Sequence, residues 1–256
     1  MPYCPLDGIE LYYEVHGDGR PVVFVHGAGG NHASWFRQTL VFAESRRVVV
    51  YDQRGFGNSD DTEERGRSAM VDDLAGLLDE LGIERAVLVA QSLGGGTCAG
   101  FTVRHPARVA GLVLCDTLVG MRLPPDIAAI VDEVQKRTAG LPQTTRVLGP
   151  KTRASRPDLA LLYTQLASFN RYSVGNMPGA FAPVEVAALA ATRVPILYVV
   201  GADDILYPPE CIRRVQALVP NSELVEIADV GHSAYYEDAA SFNRHLAAFL
   251  DKVGVY

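Results

Sequence analysis

The stretch Val87-Leu88-Val89-Ala90-Gln91-Ser92-Leu93-Gly94-Gly95-Gly96 decides the fold of this chain. Its first half is a short apolar run, which is typical of a parallel strand buried on both faces. A serine follows at once, and the glycines after it permit a tight turn into a helix. Small residues at Ala90 and Gly94 would let the two arms of this turn approach each other. The stretch therefore predicts a strand, a sharp turn that exposes the Ser92 hydroxyl, and a helix.

The composition is that of a globular protein without nucleic-acid or membrane partners. Of the 256 residues, 48% are hydrophobic and 21% are charged, which is enough apolar material for one large domain. The net charge of −7 disfavours binding to a phosphate backbone. No apolar run approaches the ~20 residues that cross a bilayer, and no secretory signal is evident, so we expect a cytoplasmic protein. The four cysteines lack metal-type spacing, and we expect no disulfide framework.

Strand and helix patterns alternate along most of the chain. Apolar strand-like runs occupy residues 9–16, 21–25, 48–51, 87–91, 109–115, 195–200 and 223–228. Helical patterns occupy residues 68–81, the run after Ser92 to residue 105, residues 208–219 and the stretch from residue 239 onward. Ser68 is a candidate N-cap and Gly82 a candidate stop for the first of these helices. This alternation predicts a mostly parallel central sheet with helices on both faces.

The alternation lapses over residues 118–192. This stretch is rich in proline and carries helix-like segments over residues 126–138 and 157–170, with no clear strand. We interpret it as a helical lid insertion over the sheet edge, within one domain that spans residues 1–256. Most of its apolar residues are expected to pack within the lid and the rest to line an acyl or aromatic pocket. These residues are Met121, Leu123, Ile127, Ile130, Leu161, Leu162, Leu166, Phe169 and Phe181.

A histidine and an acid follow later strands in an order that suits serine catalysis. A serine hydroxyl is a weak nucleophile unless a base removes its proton. His232 follows the strand predicted to end at residue 228, which places it on the same rim of the sheet as Ser92. Asp203 and Asp204 follow the preceding strand on that rim, and an acid there would orient the histidine. The chain order Ser92, Asp204, His232 predicts a catalytic triad.

Acyl transfer also needs donors for the oxyanion that develops on the substrate. Backbone N–H groups serve well because they are fixed in place. Leu93 supplies one amide at the start of a helix, and the glycine-rich loop at residues 26–30 supplies another. Ala28 is our first choice in that loop and Gly29 the second. The loop lacks both phosphate-binding glycine signatures, so we do not interpret it as a nucleotide site.

Five motifs together resemble the α/β-hydrolase superfamily. They are His26-Gly27-Ala28-Gly29-Gly30, Asp52-Gln53-Arg54-Gly55-Phe56-Gly57-Asn58-Ser59, Ala90-Gln91-Ser92-Leu93-Gly94-Gly95, Gly201-Ala202-Asp203-Asp204 and Gly231-His232-Ser233. The resemblance covers the chain from Tyr12 to the last helix and implies an α/β-hydrolase fold.

The same resemblance bears on individual residues. It favours Asp204 over Asp203 as the acid, and it implies structural roles for Asp52 and Arg54 and a loop-organising role for His26. Some relatives carry the acid one strand earlier, which leaves Asp116 as an alternative.

Ala90 and Gln91 depart from the family pattern, in which glycine and commonly histidine stand at those positions. Gln91 could alter the floor of the pocket.

The expected activity is that of a serine hydrolase. Such an enzyme would cleave a small to medium, largely apolar carboxylic ester or a lactone through an acyl-enzyme, with no metal or organic cofactor. We expect the lid to lack an arginine or lysine pair that clamps an anionic group. Two alternatives stay open: a non-hydrolytic enzyme of this fold (a C–C lyase or hydrolase, a perhydrolase or a cofactor-free oxygenase) and a ligand receptor. The oligomeric state is not predicted.

Overall fold

The computed structural model describes residues 2–6 and 8–254. Its strands are β1 (Tyr3–Leu6), β2 (Ile9–His16), β3 (Pro21–Val25), β4 (Arg47–Tyr51), β5 (Ala86–Gln91), β6 (Val109–Cys115), β7 (Met121–Arg122), β8 (Val184–Glu185), β9 (Ile196–Gly201) and β10 (Ser222–Ile227). Its α-helices are α1 (Phe36–Ala43), α2 (Met70–Glu80), α3 (Gly94–Arg104), α4 (Pro125–Thr138), α5 (Gln143–Val147), α6 (Pro150–Ser155), α7 (Pro157–Ala167), α8 (Val186–Ala191), α9 (Pro209–Gln216), α10 (Ala234–Glu237) and α11 (Ala239–Val253). Short 3₁₀ helices span His32–Trp35, Gly66–Ser68 and Pro106–Arg108.

Eight strands form one sheet in the order β1-β2-β4-β3-β5-β6-β9-β10. The six strands from β4 to β10 in this order run parallel, and β2 pairs antiparallel with both β4 and β1. The predicted mostly parallel, helix-covered sheet is confirmed. Because parallel strands end at one edge of a sheet, the loops after β3, β5, β6, β9 and β10 all gather there.

The core lies on both faces of this sheet. Every residue of β5 and β6 is buried, as expected of central strands covered on each side. One apolar cluster joins the sheet to α2, α3, α8 and α9, and a second joins the opposite face to α1 and α11. All four cysteines are buried free thiols. The apolar stripe predicted for the last helix faces the second cluster, since its five members are buried there (Phe242, Leu246, Phe249, Leu250 and Val253).

The start of α2 differs from the prediction. Ser68 closes a 3₁₀ turn, and the N-cap of α2 is Ala69, without a side-chain hydrogen bond. The predicted end is confirmed, because Gly82 follows the helix with φ +61°, in the left-handed region that favours glycine. The N-cap prediction for Ser68 is therefore wrong, since a tight turn stands where the α-helix was expected to begin.

Helices dominate the chain between β6 and β9. They are α4 to α8, and they lie beside a small two-stranded sheet in which β7 and β8 pair in parallel. We expected no strand here, and two-residue strands are too short to show any periodicity in the sequence. No helix of the described residues is long and apolar enough to cross a membrane.

Candidate active site

Ser92 lies at the sharp turn between β5 and α3, as the sequence predicts. Its φ is +47°, a left-handed conformation that is costly for a residue with a side chain. The surrounding backbone holds it there: the Ser92 N–H donates to the carbonyl of Cys115 at 3.1 Å. The Ser92 carbonyl in turn accepts from the Thr117 hydroxyl at 2.6 Å and from the Gly95 N–H at 2.9 Å. These bonds fix the turn that presents the Ser92 hydroxyl.

Gly94 allows a close approach between the start of α3 and the neighbouring strand. A Cβ added at Gly94 would lie 2.4 Å from the carbonyl oxygen of Val25, at the end of the neighbouring strand β3. The glycine therefore lets the start of α3 approach β3, a role that the sequence did not indicate. The close approach brings the loop after β3 beside Ser92.

Ser92, His232 and Asp204 form a continuous chain of hydrogen bonds. The His232 Nε2 lies 2.9 Å from the Ser92 Oγ, and the His232 Nδ1 lies 2.9 Å from the Asp204 Oδ2. The side chains of His232 and Asp204 are 3% and 0% exposed, so solvent screens their interaction little. Asp203 is exposed, and within the described residues it makes no ion pair with a histidine. An arrangement of this kind can activate a serine hydroxyl.

Further hydrogen bonds hold Asp204 and His232 in place. The second carboxylate oxygen of Asp204 accepts from the N–H groups of Leu206 at 2.7 Å and Tyr207 at 3.1 Å. The carbonyl of His232 accepts from the Gln91 side-chain amide at 2.8 Å. Gln91, the residue that departs from the family pattern, therefore ties the serine turn to the histidine loop. It also lines the cavity above Ser92.

The environment of His232 favours its protonated form. Burial by itself lowers the pKa of a histidine, but the charge and hydrogen bond of Asp204 and the charge of Asp116 outweigh burial here. The pKa of His232 is raised as a result. An imidazole that draws a proton in this way suits a general base.

Asp116, the alternative acid, lies near the hydrogen-bonded residues Ser92, His232 and Asp204, but its carboxylate has other partners. Its carboxylate accepts from the N–H groups of Gly201 at 2.8 Å and Ala234 at 3.0 Å. It also accepts a hydrogen bond from the Cys115 thiol at 3.1 Å, and no hydrogen bond joins it to His232 in the described part of the chain. Burial and the nearby charge of Asp204 raise the pKa of Asp116 to about 7. The acid that contacts the histidine is thus Asp204.

Ala28 and Leu93, the predicted oxyanion donors, flank Ser92. Both line the cavity together with Ser92 and His232. In residues 2–6 and 8–254, neither amide donates to a backbone carbonyl. The Ala28 loop is held by buried His26, whose Nε2 accepts from the Gln53 N–H at 2.9 Å. Burial lowers the pKa of His26, in keeping with a neutral ring in a structural role.

A cavity with two adjoining lobes opens above Ser92, with volumes of about 310 Å³ and about 490 Å³. Ala28, Ser92 and His232 line both lobes from the sheet edge, and Arg146 and Val174 line both from the segment between β6 and β9. Such volumes suit a small organic molecule. No group of three or more metal-ligating side chains occurs within the described ranges.

Sequence reasoning identified the wrong apolar residues for this cavity. Leu166 and Phe169 line a separate cavity beside His32, and none of the nine apolar lid residues singled out lines either lobe in the part of the chain described. The apolar wall of the lobes comes from residues that the helical pattern did not mark: Val119, Leu141, Val147, Tyr163, Val174, Met177 and Leu206. Several belong to turns and short helices, where no periodicity distinguishes lining from packing.

Comparisons with known proteins agree with this fold. The family model described as "alpha/beta hydrolase fold" matches residues 20–239. A non-heme chloroperoxidase of Kitasatospora aureofaciens is 28% identical over 284 residues, covering 98% of this chain and 100% of that protein.

Two solved structures are also similar. An N-acyl homoserine lactone degrading enzyme has a TM-score of 0.81 at 28% identity, covering 97% of this chain and 100% of that one. A thermophilic esterase of Thermogutta terrifontis has a TM-score of 0.78 at 29% identity, covering 96% of this chain and 94% of that one. The chain belongs to the α/β-hydrolase family.

Proposed function

We propose that this protein is a serine hydrolase that cleaves a small to medium carboxylic ester or lactone. The observation that carries the proposal is the hydrogen-bonded chain from Ser92 through His232 to Asp204 at the floor of a ligand-sized cavity. The similarity to an esterase and to a lactone-degrading enzyme supports the same bond class. We assign Ser92 as the nucleophile, His232 as the general base and Asp204 as the acid that orients it.

Acylation begins with proton transfer from the Ser92 hydroxyl to the His232 Nε2, 2.9 Å away. The Nδ1 proton donates to Asp204, which holds the tautomer with a free lone pair on Nε2 and stabilises the imidazolium that forms. The serine oxygen attacks the substrate carbonyl carbon, and the amides of Ala28 and Leu93 donate to the resulting oxyanion. His232 then gives its proton to the leaving oxygen, and the C–O bond breaks.

Deacylation reverses these roles with water as the nucleophile. His232 takes a proton from the water, whose oxygen attacks the acyl carbon, and then returns the proton to Ser92. A carboxylic acid leaves; from a lactone, the alcohol stays on the same molecule.

We further propose that residues 118–192 form a lid insertion within a single domain and set substrate specificity. This segment contributes Leu141, Arg146, Val147, Tyr163 and Val174 to the cavity wall. Because these residues line the cavity but do not belong to the hydrogen-bonded triad, we expect them to contact the acyl or alcohol group of the substrate.

The proposal is tested by intact mass after treatment with a fluorophosphonate, followed by an acyl-chain series of 4-nitrophenyl esters. We expect a single adduct on the wild type, no adduct on Ser92→Ala, and turnover of at least one ester. The variant removes only one oxygen atom, so thermal unfolding should confirm that it is folded. A folded wild type without an adduct would refute the proposal.

A second candidate is perhydrolysis, because a similar curated protein is named as a non-heme chloroperoxidase. Hydrogen peroxide would then replace water as the nucleophile on the acyl-enzyme, giving a peracid and free Ser92. Incubation with acetate, hydrogen peroxide and bromide, followed by detection of bromination of a reporter, separates the two. Bromination that exceeds ester hydrolysis and is lost in Ser92→Ala would favour this candidate.

A further inference from the structure

We propose that Arg146 forms a subsite for a carboxylate carried by the substrate, so that the preferred ester or lactone is anionic. This inference rests on the proposed function and deepens it. It departs from the largely apolar substrate that the sequence suggested.

Arg146 lines the cavity and carries a donor that no described residue satisfies. It lies on the short helix α5, is half-buried and lines both lobes beside Ser92 and His232. Its Nε is buried and has no acceptor among the described residues. A buried charged donor without an acceptor is costly, and that cost is offset if the guanidinium turns toward a ligand that supplies the acceptor.

Among the described residues, no acidic side chain of the two lobes balances the charge of Arg146, although Asp203 and Asp204 line a separate cavity with it. Although the chain carries a net charge of −7, neither lobe is lined by an aspartate or glutamate within the described residues. The sequence from residue 134 to residue 157 holds six arginines and lysines and no acidic residue. Of these six, Lys151 and Arg156 are paired with Asp229 and Asp158, and Arg146 is the one that lines the lobes. A cation in the wall of a confined cavity attracts anions and raises their local concentration.

A second arginine of the larger lobe is already occupied. The Arg67 guanidinium donates to the carbonyls of Met177 and Gly179, each at 3.0 Å, and of Val174 at 3.2 Å. Arg67 therefore holds the wall formed by residues 174–179 in place. This leaves Arg146 as the arginine of the cavity best able to bind a ligand.

The planar guanidinium group selects the ligand class. It presents paired N–H donors that match the two oxygens of a carboxylate, and charge-assisted bonds of this kind are stronger than neutral ones. A carboxylate adds little volume, which agrees with lobes of about 310 Å³ and about 490 Å³. The substrate would thus hold its reacting carbonyl at Ser92 and its carboxylate at Arg146.

The test compares monomethyl glutarate with methyl valerate, which have five-carbon acyl chains and differ in the terminal carboxylate. Acid release is followed in a pH-stat at constant ionic strength. We expect the wild type to prefer monomethyl glutarate in kcat/KM, and Arg146→Met to lower that preference by about 10- to 100-fold, the usual range for a lost charge-assisted bond. Arg146→Lys should keep part of it, because the charge remains.

Arg137→Met is the matched control. Arg137 is exposed on α4 and lies in the same basic stretch, so its loss removes the same charge without altering the cavity lining. We expect this variant to keep the wild-type preference within about twofold, as is usual for exposed charges. The subsite would be overturned if the wild type prefers methyl valerate. It would also be overturned if Arg146→Met lowers kcat/KM equally for both esters.

Glutarate binding separates failure of the subsite from failure of the proposed hydrolysis. We expect glutarate, at matched ionic strength, to raise the thermal unfolding midpoint of the wild type and not that of Arg146→Met. If no ester turns over and the fluorophosphonate leaves no adduct, the hydrolase proposal fails. In that case the change in unfolding midpoint decides the subsite: a shift in the wild type that is lost in Arg146→Met supports it, and no shift refutes it. If neutral esters turn over but glutarate produces no shift, the subsite is refuted while the hydrolase proposal stands.

Discussion

Replacing Asp204 with asparagine should lower kcat/KM by about three to four orders of magnitude. In the proposed acylation step His232 becomes an imidazolium, and its Nδ1 lies 2.9 Å from the carboxylate. With charge centres about 4 Å apart and an effective dielectric of about 20, the carboxylate stabilises that cation by about 4 kcal/mol. At about 1.4 kcal/mol for each factor of ten, this corresponds to roughly a thousandfold.

The tautomer of His232 adds to this loss. The Asp204 Oδ1 accepts two backbone N–H groups, so an asparagine would keep its oxygen there and turn its NH₂ toward the His232 Nδ1. The imidazole proton would then move to Nε2, which faces Ser92 and could no longer accept the serine proton. A wrong tautomer of this kind raises the expected loss toward about 10⁴.

The assay is kcat/KM on the best 4-nitrophenyl ester, with Asp116→Asn as the matched variant. Asp116 accepts two backbone amides and does not contact the histidine, so its replacement should cost no more than about a hundredfold, the range of one or two hydrogen bonds. Both variants should be compared by thermal unfolding first. Equal losses in the two variants, or a loss below tenfold in Asp204→Asn, would show that the acid is wrongly assigned.

Three further predictions follow from the site and its surroundings. Ser92→Ala, His232→Ala and the double variant should each lower kcat by about 10⁶-fold, because the effects of residues that act as a unit are not additive. A double variant whose loss equals the product of the two single losses would contradict the assignment. The acid limb of the kcat/KM profile should lie above pH 6.5, because the pKa of His232 is raised and its protonated ring cannot accept the serine proton. Asp116→Asn should move that limb to lower pH, since the Asp116 charge helps to raise this pKa; an unmoved limb would exclude the coupling. Gly201→Ala places a Cβ 2.0 Å from the carbonyl oxygen of the residue before His232 and should destabilise the fold by about 1–3 kcal/mol in chemical denaturation. Gly140→Ala is the control, because a Cβ there meets nothing within 4 Å, and it should change the free energy of unfolding by less than about 1 kcal/mol. Equal destabilisation by the two substitutions would show that the close contact at Gly201 has no effect on stability.

The sheet was predictable wherever strands are buried on both faces. Runs such as those of β5 and β6 are apolar throughout, and their ends carry glycine or polar residues. Helix α1 was missed because its apolar residues do not form one inward stripe: Phe36, Leu40 and Val41 are 45%, 69% and 53% exposed. Strand β1 escaped because it is a four-residue edge strand, too short for alternation to be distinctive.

In the candidate site, too, the residues that follow buried strands were predictable and the residue between β6 and β9 was not. Ser92, Asp204 and His232 follow strands, and parallel strands bring their ends to one edge, so topology alone predicts that they meet. Arg146 lies in a segment whose path depends on how short helices pack, and no local pattern predicts its distance from Ser92. The run of basic residues without acids around it was visible in the sequence, but a solvated surface explains such a run equally well until the cavity is known.

The two buried carboxylates at this edge have different partners: Asp116 accepts backbone amides from two loops, and Asp204 contacts the side chain of His232. Asp116, like Ser92, has a left-handed backbone (φ +52°), and such a conformation costs about 1–3 kcal/mol unless its surroundings enforce it. The Asp116 N–H donates to Val199, while its carboxylate accepts one amide three residues before Asp204 and another two residues after His232. One buried side chain therefore connects the end of β6 to both loops that bear the proposed acid and base. Asp204 can then use one oxygen for His232, since the position of its loop is already set by Asp116. On this argument Asp116 is a positioning residue, and its removal should loosen the geometry of the pair without removing the charge that the base requires.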